Sequence, residues 1–555
     1  MVSDSVTYVT ETARRALEEE IKNSSEEMPK AFLKAGDNSK NFPYFAFMPI
    51  ILGTAVPDGD AFPFSVPGDV MEPGSQCYSS GEMKAVKEKD GSVRLSVSLS
   101  NGGKKPSRGC AEHYVIMTAE GISIHRVAVS LLFPSEKAEM KVHWKPSKRS
   151  TEAGQKDLHE RGLRVFKVRQ TLTNSLKSIL KTAAMFTAEL SRHVPKIADR
   201  TSDEFLKKYR GLDMKRLDKR ITVEEAIARE KDMKPGDMLG ILRMDGLDPM
   251  LAYGMGANTG HTVVLVSMQK EGDDRPRIYV TESTAKDSYW PVNGIQATRY
   301  DEWIRMADKA DMNVFHLPLD ESNGVKAQEG NQAMIEYFKT VEGVDYGYRN
   351  MLYSWLDTEA DNLPCLPPDF KVCLRWPHLE LLLSALSFFS PDTASMIFLD
   401  GLQKRLQMPE SSHATFAEIL NEARRQNIDP AKLPAIPERD EWRYNTTRFG
   451  KPAYAPQRVC CAFVCSMWKA GGLFDDSMGG RAEAEEKVEC AEMTNRDVVD
   501  LNIFERDGDG KTIHPQILGY RAIEPDETVN SVTPYPHMFE TCPGAPPDYA
   551  RPDQC

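Results

Sequence analysis

Several features are scarce in this sequence of 555 residues. The longest apolar runs, near Phe45–Ala55 and Leu381–Phe389, fall well short of the roughly 20 residues that a membrane-spanning helix needs. The first thirty residues lack the basic and apolar regions of a signal peptide and instead predict an amphipathic helix through Ala13, Leu17 and Ile21. We therefore expect no transmembrane segment in this chain.

Basic residues are also fewer than acidic residues. The chain has 70 Lys and Arg against 82 Asp and Glu, which gives a net charge of −12. Dominant binding to nucleic acid or to anionic lipid depends on an excess of basic residues, so this balance argues against both. The 41% apolar and 27% charged residues are typical of a packed globular protein. At about 150 residues per domain, the length predicts two to four domains.

The ten cysteines are too few for a disulfide scaffold of this length. The glycosylation sequons at Asn23 and Asn445 permit an oxidising compartment. We expect a soluble, cytoplasmic protein by default, and a secreted or lysosomal one if a signal peptide is missing from this chain. Cys460, Cys461 and Cys465 lie close together, and this spacing favours buried reduced or reactive thiols over three bridges radiating from one helix.

The apolar pattern changes along the chain and predicts an α+β protein with several regions. Short alternating stretches separated by turn signals predict a β-rich N-terminal domain over 1–150. A helical pattern predicts a connector over 151–232. Strands joined by turns then begin a mixed domain over 233–522, which a Pro-containing helical insertion interrupts at about 358–455. The Pro- and Gly-rich segment 523–555 is interpreted as a surface tail.

Three residues in the mixed domain could form a nucleophilic site. Cys460 begins an apolar helix, and a helix N-terminus lowers the pKa of a thiol. His261 stands at the head of a β-branched run and could accept the proton of the thiol. Glu282 ends the next strand and can orient His261 if the two strands pair as a hairpin. Taken singly, a histidine before a strand is usually structural and a Cys-Cys pair usually packs in a core.

The order of these motifs resembles the circularly permuted papain-like fold of the NlpC type, in particular the YaeF/YiiX amidase group, with lecithin retinol acyltransferase as a more distant relative. The resemblance covers roughly residues 233–520 and implies a Cys-bearing helix packed on an antiparallel sheet. The residues that carry it are Gly236-Asp237-Met238-Leu239, Gly260-His261, Glu282, and the helix that runs from Cys460-Cys461-Ala462-Phe463-Val464 to Lys469-Ala470-Gly471.

The resemblance implies acyl transfer through a thioester. Cys460 would attack an amide or ester carbonyl, His261 would take and return the proton, and Glu282 would hold the ring. The backbone N–H groups of Cys460 and Cys461, at the start of the helix, would form the oxyanion hole. Water is the default acceptor, and this chemistry requires no metal or organic cofactor.

The same resemblance suggests which residues line the cleft and leaves the substrate class open. Asp237 belongs to the first motif, while Tyr346 and Tyr348 lie in an aromatic segment that could line the cleft or simply pack in the core. Amide hydrolysis is the favoured activity. A lipid acyl hydrolase or acyltransferase is the alternative, with the apolar insertion helix around Leu381–Phe389 capping the cleft. A non-catalytic interaction protein with a degenerate hydrolase fold is the third hypothesis.

Other motifs in the sequence do not predict a cofactor. Cys110 and His113 have a zinc-like spacing without a second pair of ligands. The segment 505–516 resembles a calcium loop but has Glu in the first position and Gln in the last, which favours a surface turn. The glycine-rich segment Gly254–Gly260 leads into a strand rather than a helix, so it does not predict a phosphate-binding loop.

Overall fold

The computed structural model describes residues 44–523, apart from 73–74, 146–149, 187–191, 211, 213, 256, 287–289, 352–364, 367–371, 410–413, 435, 437 and 475–487. The predicted helix through Ala13, Leu17 and Ile21, and all but the first residue of the predicted tail, lie outside these residues. In the described part of the chain, no helix is both long enough and apolar enough to cross a membrane.

The chain divides into two compact units that are not continuous in sequence. The first unit contains Met1–Ala183 and Cys365–Leu433, and the second contains Ala184–Pro364 and Pro434–Cys555. The predicted connector over 151–232 is therefore shared between the units. The predicted insertion over 358–455 is divided as well, because its final part belongs to the second unit.

The strands alternate between buried and exposed residues where one face of a sheet meets a core, as in Val93–Ser100. In chain order, the strands are β1 (Ile50–Ala55), β2 (Phe62–Ser65), β3 (Ser80–Lys87), β4 (Val93–Ser100), β5 (Ala111–Thr118), β6 (Gly121–Ala128), β7 (Lys137–Trp144), β8 (Leu163–Lys167), β9 (Arg216–Ile221), β10 (Met238–Arg243), β11 (His261–Met268), β12 (Arg277–Thr284), β13 (Gly294–Arg299), β14 (Met312–Leu317), β15 (Cys365–Leu366), β16 (Val372–Cys373), β17 (Tyr444–Arg448), β18 (Lys451–Ala455) and β19 (Gln516–Arg521).

Several helices begin at a Thr or Asp side chain that accepts a hydrogen bond from the first turn, which supplies a partner for an otherwise unpaired N–H group. In chain order, the α-helices are α1 (Glu152–Glu160), α2 (Leu172–Met185), α3 (Lys196–Phe205), α4 (Val223–Ile227), α5 (Leu247–Met255), α6 (Tyr300–Lys309), α7 (Glu321–Val341), α8 (Trp376–Phe389), α9 (Pro391–Ala394), α10 (Asp400–Arg405), α11 (Phe416–Arg425), α12 (Cys460–Ala470) and α13 (Asn495–Asp500).

The first unit contains two four-stranded antiparallel sheets that share one core. Their strand orders are β1-β8-β5-β6 and β2-β3-β4-β7. Leu95 and Val97 from one sheet and Ile116 and Val165 from the other are buried together. The assignment of the whole region 151–232 to a helical connector is wrong for β8, since its five buried residues pair with β1 and β5. A buried run of this length carries no periodicity that separates a strand from a helix. The assignment is also wrong for β9, which pairs with β19 in the second unit.

The segment Cys365–Leu433 packs within the first unit. His378 Nε2 of α8 lies 3.1 Å from the carbonyl oxygen of Pro49, and Ser384 Oγ donates to the carbonyl of Thr118 at 3.3 Å. The neighbouring α11 is held to α1 by a hydrogen bond from Asn421 to a backbone carbonyl. These contacts place α8 in the first unit, and the hypothesis that this helix caps the cleft stays a prediction.

The second unit is built around an antiparallel sheet of seven strands, in the order β13-β12-β11-β10-β14-β19-β9. Helices α12 and α7 share a core with Val264 and Val266 of β11. Helix α6 shares a second core with Val263 and Leu265, which alternate with them along the strand. Sheets and helices in both units confirm the predicted α+β class. Strand β11 also pairs with β12 as the predicted hairpin.

Candidate active site

The structure brings Cys460, His261 and Glu282 together at the start of β11. His261 Nε2 lies 3.0 Å from Glu282 Oε2, and the His261 ring interacts electrostatically with the Cys460 thiol. The imidazole therefore connects a carboxylate to a thiol, which is the arrangement that an activated nucleophile requires.

The position of His261 depends on the glycine before it. A Cβ atom on Gly260 would stand 2.3 Å from Cγ of Asp248, so no larger residue fits there. Asp248 is itself fixed, since its Oδ2 accepts a hydrogen bond from the backbone N–H of Arg243 at 2.7 Å. The Gly-His motif thus reflects close packing where helix α5 approaches the first residue of β11.

Glu282 is buried, with 1% of its side chain exposed, and both of its oxygens are paired. Oε2 faces His261, while Oε1 accepts hydrogen bonds from Trp303 Nε1 and Gln296 Nε2, each at 3.2 Å. Gln296 lies directly opposite Glu282 in the pairing of β13 with β12, and Trp303 comes from α6. These two partners hold the carboxylate in a single orientation toward the imidazole.

Cys460 is the first residue of α12 and is 6% exposed. A hydrogen bond with Cys461, together with the hydrogen bond and charge of His261, lowers the pKa of the Cys460 thiol well below its usual value, although burial opposes this. Burial, followed by the neighbouring Cys460, raises the pKa of the Cys461 thiol. Of these two adjacent thiols, Cys460 is therefore the one that ionises first.

The pKa of His261 shifts in the complementary direction. Burial on its own would lower it, but hydrogen bonds and negative charge from Cys460 and Glu282 raise the pKa of His261 to about 10. At neutral pH the two shifts favour a thiolate on Cys460 paired with an imidazolium on His261. Such a pair stores the proton that a leaving group would need.

Asn495, the first residue of α13, also reaches the thiol. Its Oδ1 accepts hydrogen bonds from Thr262 Oγ1 at 3.1 Å and, when the thiol is protonated, from Cys460 Sγ at 3.4 Å, and its Nδ2 donates to the carbonyl of Thr259 at 3.5 Å. Asn495 is not among the site residues predicted from the sequence. The T-x-x-D spacing that begins at Thr494 marks a helix start, but nothing in the sequence connects that start to the thiol.

The two predicted cleft tyrosines differ in their surroundings. Their rings contact each other edge to face, with centroids 5.1 Å apart. Burial, followed by the charges of Cys460 and Cys461, raises the pKa of Tyr346 well above its usual value, which is consistent with a phenol close to the thiols. Tyr348 instead donates from its hydroxyl to Asn293 Oδ1 at 3.3 Å.

Asp237 is not at the site. Its Oδ2 lies 2.8 Å from His316 Nε2, and its Oδ1 accepts from the backbone N–H of Leu319 at 3.0 Å. The backbone carbonyl of Asp237 accepts a hydrogen bond from the backbone N–H of Leu265. Leu265 is four residues from His261 along β11, and at the rise of an extended strand this separation is about 13 Å. The expectation that Asp237 lines the cleft is therefore corrected: its carboxylate fixes the chain where β10 begins.

Disulfides account for some of the cysteines. Cys465 pairs with Cys490, so the expectation of reduced thiols holds for Cys460 and Cys461 but is wrong for Cys465. This bond joins α12 to the segment that leads into Asn495. Cys110 pairs with Cys77 and is therefore not available as a zinc ligand beside His113.

One group of side chains in the described residues has the spacing of metal ligands. Oxygen and nitrogen atoms of Glu88, Asp90 and His143, in the first unit, lie within 4.8 Å of one another. Ser92 Oγ already donates to Asp90 Oδ1 at 2.5 Å and lies 2.7 Å from His143 Nε2. The serine therefore explains how these groups are arranged without an ion.

Comparison with known proteins identifies no relative. No family model matches the chain, and no curated protein and no solved structure matches it either. The resemblance to the NlpC type thus depends on the motifs around His261, Glu282 and Cys460 and on their order along the chain. The geometry of the site is the basis on which a function can be inferred.

Proposed function

We propose that the second unit is a cysteine-dependent hydrolase of the permuted papain-like type, and that it cleaves amide bonds. The observation that carries this proposal is the set of interactions that links buried Glu282 through His261 to Cys460. The second oxygen of the Glu282 carboxylate is fixed as well, by hydrogen bonds from Trp303 and Gln296. A histidine or cysteine with a purely structural role does not require a carboxylate held in this way.

In the proposed reaction, the Cys460 thiolate attacks the amide carbonyl. His261 then donates its proton to the departing amine, which leaves an acyl thioester on Cys460. Water, deprotonated by His261, attacks the thioester and releases a carboxylic acid and the regenerated thiol. The negative oxygen formed in each step would meet the N–H groups of Cys460 and Cys461. Their helix has no side-chain cap among the described residues.

The experiment that tests this activity is a search for the thioester. The protein is incubated with peptide amides and, in parallel, with acyl-lipid esters, and the adduct is mapped by mass spectrometry of peptides. We expect an acyl adduct on Cys460 that disappears in Cys460→Ser and persists in the matched variant Cys461→Ser. A fatty acyl adduct would instead assign a lipid acyl hydrolase or transferase. If neither substrate class forms an adduct or is turned over, the result would favour a non-catalytic interaction protein.

We also propose that the protein works in an oxidising compartment. Two disulfides within the described residues, Cys77–Cys110 and Cys465–Cys490, support this, because structural disulfides are rare in reducing compartments. The sequon at Asn445 is exposed on β17, which is compatible with secretion or a lumenal location. Non-reducing peptide mapping of the protein from its native source tests this proposal. Finding all four cysteines reduced would contradict it.

A further inference from the structure

The loop between β6 and β7 in the first unit exposes three consecutive large apolar residues. Leu131, Leu132 and Phe133 have 69%, 76% and 82% of their surface exposed, and we call them the apolar tip. Ser130 Oγ accepts hydrogen bonds from the backbone N–H groups of Leu132 at 3.2 Å and Phe133 at 3.1 Å. The tip therefore has a defined turn that leaves its apolar side chains in water, which is unfavourable unless they meet a partner.

A second loop, 101–109 between β4 and β5, lies beside the apolar tip. The backbone N–H of Asn101 donates to the carbonyl of Glu136 at 3.1 Å, and that of Val129 donates to the carbonyl of Cys110 at 2.8 Å. A Cβ atom on Gly109 would stand 2.9 Å from Cδ2 of Leu131. The two loops thus form one surface at the same end of the two sheets.

The charge of the second loop is entirely positive. Residues 101–109 contain Lys104, Lys105 and Arg108 and no acidic residue, and all three basic side chains are exposed. We call this segment the basic loop. It contrasts with the net charge of −12 for the whole chain, so its sign does not reflect the average composition. A local basic surface next to an apolar projection complements a partner that presents both negative charge and hydrocarbon.

We propose that the apolar tip and the basic loop bind a lipid bilayer that contains anionic phospholipids. Projecting Leu and Phe side chains can enter the boundary between headgroups and acyl chains, while adjacent Lys and Arg side chains meet the phosphate and carboxylate groups above it. The acidic remainder of the chain opposes close approach to such a surface, so binding is shallow and reversible. This proposal concerns the first unit and does not depend on the proposed hydrolase activity.

Sedimentation with lipid vesicles tests the proposal on the full chain. We expect binding to vesicles of phosphatidylcholine with about 30% phosphatidylserine, and weaker binding to phosphatidylcholine alone. Raising the salt to about 1 M should weaken binding, because the screening length then falls to about 3 Å. Absence of binding to the anionic vesicles at low salt would overturn the proposal.

Two double variants separate the contributions of the two loops. Leu132→Ser with Phe133→Ser should weaken binding to both kinds of vesicle by tenfold or more, since several buried methylene groups are lost. Lys104→Glu with Lys105→Glu should weaken binding to the anionic vesicles by roughly tenfold and remove their advantage over neutral ones. Unchanged binding in both double variants would overturn the proposal even if the protein binds vesicles elsewhere.

Control variants replace exposed residues of the same unit outside the two loops. Ile124→Ser on β6 removes an apolar residue that is 49% exposed, and Lys84→Glu reverses an exposed charge on β3. Both should bind as the unmodified protein does. A tryptophan at the tip, Phe133→Trp, should shift its emission to shorter wavelength on vesicle addition. If the apolar tip instead drives concentration-dependent self-association without vesicle binding, a second copy of the chain is the partner and the lipid proposal is wrong.

Discussion

Glu282 is the residue on which the orientation of the site depends most. A buried carboxylate is costly unless it is paired and hydrogen-bonded, and Glu282 meets this condition through His261, Trp303 and Gln296. The arrangement also stabilises a positive charge on His261. The same contacts therefore explain both why a charged residue is tolerated in this core and why the imidazole is held protonated.

Replacing Glu282 with Gln should lower the pKa of His261. The variant keeps the size of the side chain but removes a charge-assisted hydrogen bond of about 1.5–3 kcal/mol, which corresponds to about one to two pH units. In the unmodified protein, the ring should stay protonated until the pH rises through about 10. NMR titration of the imidazole resonances measures both values. The control Glu302→Gln removes an exposed carboxylate from the same helix as Trp303 and should leave the titration unchanged. Identical titration in Glu282→Gln would show that this carboxylate does not act on His261.

The sequence was sufficient to select Cys460, His261 and Glu282 but not their supporting partners. Those three residues stand at recognisable positions: a helix start, the head of a strand and the end of the next strand. Gln296 faces Glu282 only because of the register between β12 and β13, which no local pattern specifies. Asn495 is brought to the thiol by the packing of a short helix more than thirty residues along the chain.

Among the elements, α12 carries the proposed nucleophile and is anchored at two points within its first two turns. Its start is bound to the core through Cys460 and Asn495, and Cys465 is covalently joined to Cys490. The disulfide closes a loop with a sequence separation of 25 residues, and that loop ends just before α13. It therefore restrains the helix that presents the thiol relative to the helix that presents Asn495.

Removing this disulfide should affect both stability and the site. In the double variant Cys465→Ser with Cys490→Ser, we expect the free energy of unfolding to fall by about 3 kcal/mol, as the unfolded chain gains entropy. The rate of Cys460 alkylation should change as well. The matched variant Cys77→Ser with Cys110→Ser should lose similar stability in the first unit without altering that rate. Chemical denaturation and timed alkylation give the two quantities, and an equal effect of both variants on Cys460 would contradict the account.

Strands with clear local signals were predicted better than strands without them. Strands β10, β11 and β12 follow turn-forming residues, and β11 and β12 also contain β-branched runs, so their presence and the hairpin could be expected. Strand β8 shows no alternation of buried and exposed residues, and it forms no hairpin with a strand next to it in sequence. It is instead defined by its pairing with β1 and β5. Its conformation is decided by tertiary contacts.

For the molecule as a whole, the sequence indicated several regions but not how they combine. The segment Cys365–Leu433 interrupts the second unit in sequence and yet packs in the first. Its buried Glu380 pairs with Arg161, 219 residues earlier, and with Arg164. Long-range pairing of this kind leaves no local signal. The net charge of −12 likewise carries no information on position, so it does not reveal the basic loop.

The central claim is that Cys460 is held as a reactive thiolate by His261, and alkylation with iodoacetamide at about pH 6 tests it most directly. At that pH an ordinary thiol is only about 0.3% ionised, whereas the lowered pKa of Cys460 should keep it reactive. Peptide mapping should show Cys460 labelled far faster than Cys461. The rate should fall by roughly 100-fold in His261→Ala but not in His316→Ala, which removes a buried histidine paired with Asp237. Preferential labelling of Cys461, or an unchanged Cys460 rate in His261→Ala, would contradict the account.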